Sequence, residues 1–402
     1  MSKRLDEIQA TTPAAPAADF IPLIEPEIRG HEWNYVKECL DTNWVSSVGA
    51  YVDRFESMVA ERTGTKFAVA TMNGTSALHI ALLLAGVQPD DEVLVSTLTF
   101  IAPANTIRYV GAWPVFIDAE PTYWQIDPSK VADFLENQCT WDGRTLRNRR
   151  TGRRVSAILP VHILGHPADL QPILDLAARY SLPVIEDATE ALGARYHDRS
   201  PGSLAHVGCF SFNGNKIITT GGGGMLVTNN PQWAARAKYL STQAKDDPVE
   251  YIHNDIGYNY RLTNLLAALG CAQMEQLDGF IEAKRQIAMR YLESFAQVPA
   301  IRLPAEANWA FSTFWMFTIL IDEDIARGGS RGLLRELSSS GIQTRPLWQP
   351  MHSSPAHKAA ASSPCHTADL LYRRALSLPC SVGLKWQQQR RVIDSIIEIL
   401  SR

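Results

Sequence analysis

The stretch KFAVATMNGTSALHIALLLAG, Lys66–Gly86, decides the fold. A short apolar run reaches Thr71, a polar Asn-Gly-Thr-Ser turn follows, and apolar residues then recur at helical spacing. A strand that delivers the chain straight into a helix is half of a βαβ unit. The same alternation repeats downstream. DEVLVS precedes FIAPANTIRYVG, WPVFIDA precedes SKVADFLEN, VSAILPVH precedes DLQPILDLAARYS, and PVIED comes next. Strands and helices in alternation predict an α/β domain with a largely parallel sheet covered by helices.

The alternation stops at Arg261–Phe295, which reads as one long helical stretch interrupted near Gly279. FWMFTILID, SRGLLRELSSSG and QQQRRVIDSIIEILSR beyond it suit a smaller α+β domain. The expected division is a flexible Ala/Pro-rich tail over 1–19, a large domain over 20–265, and a linking helix with a small domain over 266–402.

Composition narrows the function. The chain has 402 residues, 46% of them hydrophobic, and a formal net charge of -4, which gives no global field for nucleic acid or an anionic membrane. Its six cysteines are scattered, without metal-ligand spacing, so no metal site is expected and the thiols read as those of a reducing compartment. With no secretory signal pattern and no membrane-length apolar window, a cytoplasmic location is expected.

Ligands of open parallel sheets sit at the carboxyl ends of strands, and four such ends carry suggestive groups. After Thr71, the Gly74–Ser76 backbone and the hydroxyls of Thr75 and Ser76 open a helix, which makes either a simple helix cap or a phosphate cradle. Phe100, after the DEVLVS strand, is either core or a face for a planar ring. Asp187 ends PVIED, where an ionised carboxylate needs a cation or donors, and Glu190 follows about a turn later. Finally SFNGNKIITTGGGGM, Ser211–Met225, offers the Ser211 hydroxyl and places Lys216 among small residues. Cradle, stacking aromatic, strand-end aspartate and lysine in that order make a site for pyridoxal 5'-phosphate. The lysine amine would bond the aldehyde, and the aspartate would keep the ring nitrogen protonated.

At these residues the chain resembles the DegT/StrS family of sugar-nucleotide aminotransferases, a branch of the fold type I pyridoxal-phosphate enzymes. NGTSAL, PVHILGHPADL, EDATEALGA, SFNGNK, TTGGGGM and GYNYRLTNLLAALGCAQMEQL carry the resemblance, which runs from about FIPLIEPEI to the C-terminus. NWVSSVGAYVDRFE and SFNGNKIITTGGGG further resemble the branch that acts in legionaminic-acid-type pathways.

The resemblance implies a large domain with a mainly parallel seven-stranded sheet. It implies Lys216 as the cofactor-bonding lysine and proton shuttle, Asp187 on the ring nitrogen, and Phe100 stacked on the ring. Gly74, Thr75, Ser76 and Ser211 would hold the phosphate, with Asn259 reaching it from the neighbouring subunit of a homodimer. His162, Trp348 and His352 match positions near the sugar. Glu190 stands where many members have Gln or His beside the ring hydroxyl; a carboxylate there repels a phenolate oxygen unless a proton is shared.

The implied reaction moves an amino group from L-glutamate, through pyridoxamine 5'-phosphate, to a nucleotide-linked keto-deoxysugar. UDP-2-acetamido-4-keto-2,6-dideoxyhexose is the expected acceptor, for a bacterial surface polysaccharide. The arginine-rich segment WDGRTLRNRRTGRRVSAI reads either as a solvated basic hairpin or as a diphosphate contact through Arg149 and Arg150, within one subunit or across the dimer. Rival readings are another fold type I activity (an amino-acid transaminase or a lyase), a cofactor-binding regulator without turnover, and a scaffold without cofactor.

Overall fold

A computed structural model describes residues 19–247 and 249–402. The tail expected over 1–19 lies, up to residue 18, outside the described residues.

Seven strands form the main sheet. Their order across it is Phe67–Thr71, Gly224–Thr228, Val207–Ser211, Ile185–Asp187, Val155–Leu159, Glu92–Ser96 and Trp113–Ile117. The first four of these strands and the last three form two ladders that join through parallel bridges from Ile158 to Val184 and from Val161 to Asp187. Only Gly224–Thr228 runs against its neighbours. This is the mainly parallel sheet the alternation predicts.

Side chains of the central strands alternate between two cores. Val93 and Val95 belong to one, Leu94 to the other; Phe116 faces the first, Val115 and Ile117 the second. Every residue of Glu92–Ser96 is buried, as it must be in a sheet with helices on both faces. Each fully buried aliphatic side chain of this kind stabilises the fold by about 1.5–3 kcal/mol. Local signals set the helix starts. Asn73, Asp127, Asn230 and Thr263 each cap a helix through a side-chain oxygen, and Pro128 and Pro231 occupy the first turn, where a missing N–H costs nothing.

Two sequence expectations are corrected. The long helical stretch breaks between Met274 and Leu277, with Gly279 inside the second helix. Gly279 is a weak helix former but meets no demand for a turn there. Nor does the chain divide cleanly at residue 265. Ile21 pairs with Ile342, and Leu23 accepts the Cys380 N–H at 2.8 Å, so the first described residues pack with the small antiparallel sheet of Ile301–Arg302, Phe317–Ile321 and Ala375–Leu378. In return, Ala361–Ser362 pairs in parallel with the edge strand Trp113–Ile117.

Among the described residues no helix is long and apolar enough to cross a membrane.

Candidate active site

The carboxyl ends of the strands converge on one cavity of about 340 Å³. Gly74 and Thr75 line it from the first strand–helix turn, Phe100 from the turn after Glu92–Ser96, and Asp187 and Glu190 from the end of the central strand. Ser211 and Lys216 enter from the next strand, and Trp315 and Trp348 from the C-terminal part of the chain.

The glycine run after Lys216 has a steric cause. A Cβ on Gly224 would lie 2.4 Å from the Asn73 carbonyl and 2.6 Å from the Gly74 nitrogen. Only glycine lets the antiparallel strand press against the helix start. The lysine loop is closed at its base, where Phe212 N–H donates to Gly223 at 2.8 Å and Thr220 N–H donates to Phe212 at 2.9 Å. Within it, Lys216 N–H turns back onto the Asn213 carbonyl at 2.9 Å, which raises the lysine side chain into the cavity.

The helix start supplies free donors. Asn73 Oδ1 accepts from Ser76 N–H at 2.8 Å and from Ser76 Oγ at 3.0 Å. The N–H groups of Gly74 and Thr75 precede the helix's own ladder, and both residues line the cavity, the arrangement that suits an anion. Ser76 is therefore corrected: its donors are spent on the cap, and its hydroxyl points to Asn73 rather than to a phosphate.

Asp187 is 2% exposed, and its Oδ1 accepts the Thr189 N–H at 3.0 Å. Burial pushes its carboxyl up from the ordinary value, while the Thr189 hydrogen bonds and the charge of Lys216 hold it down. A buried acid with this little compensation fits a protonated ring nitrogen as its partner. Glu190 is also pushed up by burial, against the charge of Lys216 and the hydrogen bond from the Leu164 backbone. Its Oε1 stands 3.5 Å from Lys216 Nζ, and its Oε2 accepts the Leu164 N–H at 2.9 Å. Phe100 is 56% exposed at the cavity wall, an apolar face available to a flat ring. The donor set, the buried acid, the aromatic face and the lysine together fit pyridoxal 5'-phosphate.

Four expected substrate residues are not in the cavity wall. His162 is fully buried: its Nδ1 accepts the Ala168 N–H at 2.9 Å, so Nε2 carries the proton and donates to Glu186 at 3.1 Å. It has no atom left for a sugar. His352 is held by Thr97 Oγ1 at 2.8 Å and by Asp369 at 3.3 Å, behind the strand end. Arg149 and Arg150 are exposed on a hairpin whose Asn148 and Thr151 hydrogen-bond Glu92, the first residue of its strand. That places them at the amino ends of the strands, opposite to the cavity of their own subunit. Trp348 does line the cavity, and Asn259 is exposed outside it.

Asn213, Asn215, Thr189 and Trp315 complete the wall without having been singled out from the sequence. The asparagines sit inside the SFNGNK motif and were legible as small polar neighbours of the lysine. Trp315 comes from far along the chain, and no local pattern announces it.

The sequence model of the DegT/DnrJ/EryC1/StrS aminotransferase family matches residues 26–397. The chain is 38% identical to GDP-perosamine synthase of Caulobacter vibrioides, over 94% of this chain and 98% of that one. It is likewise 38% identical to GDP-perosamine synthase of Escherichia coli O157:H7, over 95% and 99%. Among solved structures, S. venezuelae DesV superimposes with a TM-score of 0.83 at 31% identity, covering 92% of this chain and 95% of DesV. With the geometry above, these matches establish a fold type I, pyridoxal-phosphate-dependent transaminase: the chain belongs to the DegT/DnrJ/EryC1/StrS aminotransferase family.

Proposed function

We propose that the protein transfers an amino group from L-glutamate to C4 of a nucleotide-linked keto-deoxysugar, UDP-2-acetamido-4-keto-2,6-dideoxyhexose, in the cytoplasm, for a bacterial surface polysaccharide. The observation that carries amino transfer is the meeting of Lys216 with two buried acids beside an anion-binding helix start. Its six cysteines are free and buried, which supports a reducing compartment.

When bound, pyridoxal 5'-phosphate supplies an aldehyde that bonds amines and a cationic ring that accepts electron density. The chain's own residues do the rest. The Gly74 and Thr75 N–H groups, with the Ser211 hydroxyl, would hold the phosphate, and the Asp187 carboxylate would accept the hydrogen bond of the protonated ring nitrogen. Phe100 would offer its apolar face to the ring. Lys216 Nζ takes the proton from the amino donor and returns it on the other side of the reaction, with Glu190 in reach to share it. The two substrates use one site in turn, so ping-pong kinetics are expected.

A second copy of the chain is part of this reading. Trp33, Trp44, Val48, Tyr109, Tyr251 and Ile256 are large apolar residues left exposed on the single subunit. A homodimer would let Asn259, which is exposed, reach the phosphate held by the other subunit.

A GDP-linked acceptor is the second reading, favoured by the relatives named GDP-perosamine synthase. The deciding experiment incubates the protein with pyridoxal 5'-phosphate, L-glutamate and UDP-, GDP- or dTDP-linked 4-keto-6-deoxysugars. An amino sugar from the UDP-2-acetamido substrate, identified by NMR with stoichiometric 2-oxoglutarate, supports the first reading. A product from the GDP sugar alone replaces it with the second.

A further inference from the structure

We propose that Trp315 is a positioning residue that grips Lys216 at both ends: its indole N–H holds the loop that carries the lysine, and its ring face holds the amine. Trp315 Nε1 donates to the carbonyl of Asn215, the residue before the lysine, at 2.8 Å. Lys216 Nζ lies 4.4 Å from the centroid of the same indole. On another side of Nζ stands Glu190 Oε1.

The backbone around Trp315 is shaped to deliver this ring. Phe314, immediately before it, has φ +47°, a conformation that bulky residues rarely adopt. Gly165, at φ +89°, lies against the crossing, where a Cβ would sit 2.5 Å from the Trp315 nitrogen. The Gly165 carbonyl accepts the Thr313 N–H at 3.0 Å. Behind the ring, Lys284 Nζ donates to the Trp315 carbonyl at 2.8 Å and to the Cys380 carbonyl at 2.5 Å. Lys284 is 1% exposed. Two lysines thus bracket one tryptophan, one fixing its backbone and the other resting on its ring.

The electrostatics give the contact a direction. An indole face attracts an ammonium group more than a neutral amine, and more so away from water. Ring and carboxylate together keep the lysine's head aimed into the cavity whenever it is not bonded to the cofactor. The amine then returns to the same place after each half of the reaction, instead of swinging among solvent rotamers. A tryptophan that only filled space would leave the amine's accessibility to reagents indifferent to the ring's electron density.

This rests on Lys216 being the cofactor-bonding amine, which borohydride trapping of the loaded enzyme onto Lys216 tests separately. The inference itself is tested on the cofactor-free, full-length protein. The rate of reductive methylation at Lys216 at one fixed pH, read by mass spectrometry, reports how firmly the amine is held. In Trp315→Leu the rate is expected to rise about fivefold, and in Trp315→Phe by a smaller factor. Global replacement of tryptophan by its 5-fluoro and then its trifluoro analogue weakens the ring face with little change of shape. It should raise the rate in graded steps, which guards against a misfolded leucine variant. Gly165→Ala, which displaces the ring, should reproduce the leucine effect. A rate unmoved in folded Trp315→Leu, or indifferent to fluorination, overturns the inference.

Discussion

Lys216 and Glu190 meet inside the protein rather than on its surface: Nζ and Oε1 are 3.5 Å apart, with the lysine side chain 13% exposed and the glutamate 5%. At a surface such a pair would count for little. Here both groups lie in the cavity that receives the cofactor, so their shared proton is a matter of chemistry as well as stability.

Replacing Glu190 by Gln keeps the shape and an acceptor for Leu164 while removing the charge. Burial raises the Glu190 carboxyl above its ordinary 4.5 in the folded state. Its contribution to stability is therefore present below pH 4.5 and is lost as pH rises through the folded-state value. The cofactor-free Glu190→Gln protein should show a shallower fall of Tm with rising pH than the parent, measured by calorimetry. The same substitution should remove one limb from the pH profile of kcat/KM. Parallel Tm curves would show that Glu190 carries no burial penalty.

Ser211 and Ser76 should behave differently despite both having been expected at the phosphate. Ser211→Ala removes a hydroxyl from the cavity wall and should weaken cofactor binding by roughly tenfold, the worth of one charge-assisted hydrogen bond. Ser76→Ala touches only the Asn73 cap. Its effect should be a stability loss of about 1 kcal/mol, with the cofactor Kd unchanged in an absorbance titration.

Glu186 is a structural carboxylate next to a functional one. It accepts from His162 Nε2 and from the N–H groups of Gly202, Leu204 and Ala205 at 2.7–3.1 Å. Glu186→Leu strands all four donors in the interior and should cost at least about 3 kcal/mol in urea unfolding. His162→Ala should likewise lower stability while leaving the KM for the nucleotide sugar within about twofold, since the ring does not reach the cavity.

Charge reversal of Arg149 and Arg150 should leave the KM values for nucleotide sugar and glutamate alike, with stability changed by no more than about 0.5 kcal/mol. The hairpin's exposure at the amino ends of the strands sets that expectation. A selective rise in the KM for the sugar would instead place this hairpin over the active site of a partner subunit.

The parts of the site legible in the sequence are those held by contiguous motifs. Asp187 and Ser211 end a strand, and Thr75 and Lys216 follow one within a few residues, so strand periodicity carries them to one sheet edge. Phe100 is legible for the same reason. Ser76 misleads because a hydroxyl at a helix start serves a cap and a phosphate equally well, and only the Asn73 side chain decides between them. His162 misleads because proximity to a strand end does not say which way a ring turns; its partners Glu186 and Ala168 are set by tertiary packing. Trp315 stays hidden for the opposite reason. Nothing around it periodically marks a cavity, and its place depends on a crossing with Gly165 made across the whole fold.

The pairing of Ile21 with Ile342 bears on how the chain assembles as it is made. The earliest of these residues to leave the ribosome must wait for a partner synthesised more than three hundred positions later, a long-range closure that slows completion. Until Ala361–Ser362 also arrives, the strand Trp113–Ile117 presents an open ladder to any other nascent chain. Truncation before Ile342 should therefore yield aggregates rather than a trimmed enzyme, even though every residue of the cavity wall except Trp348 would already be present.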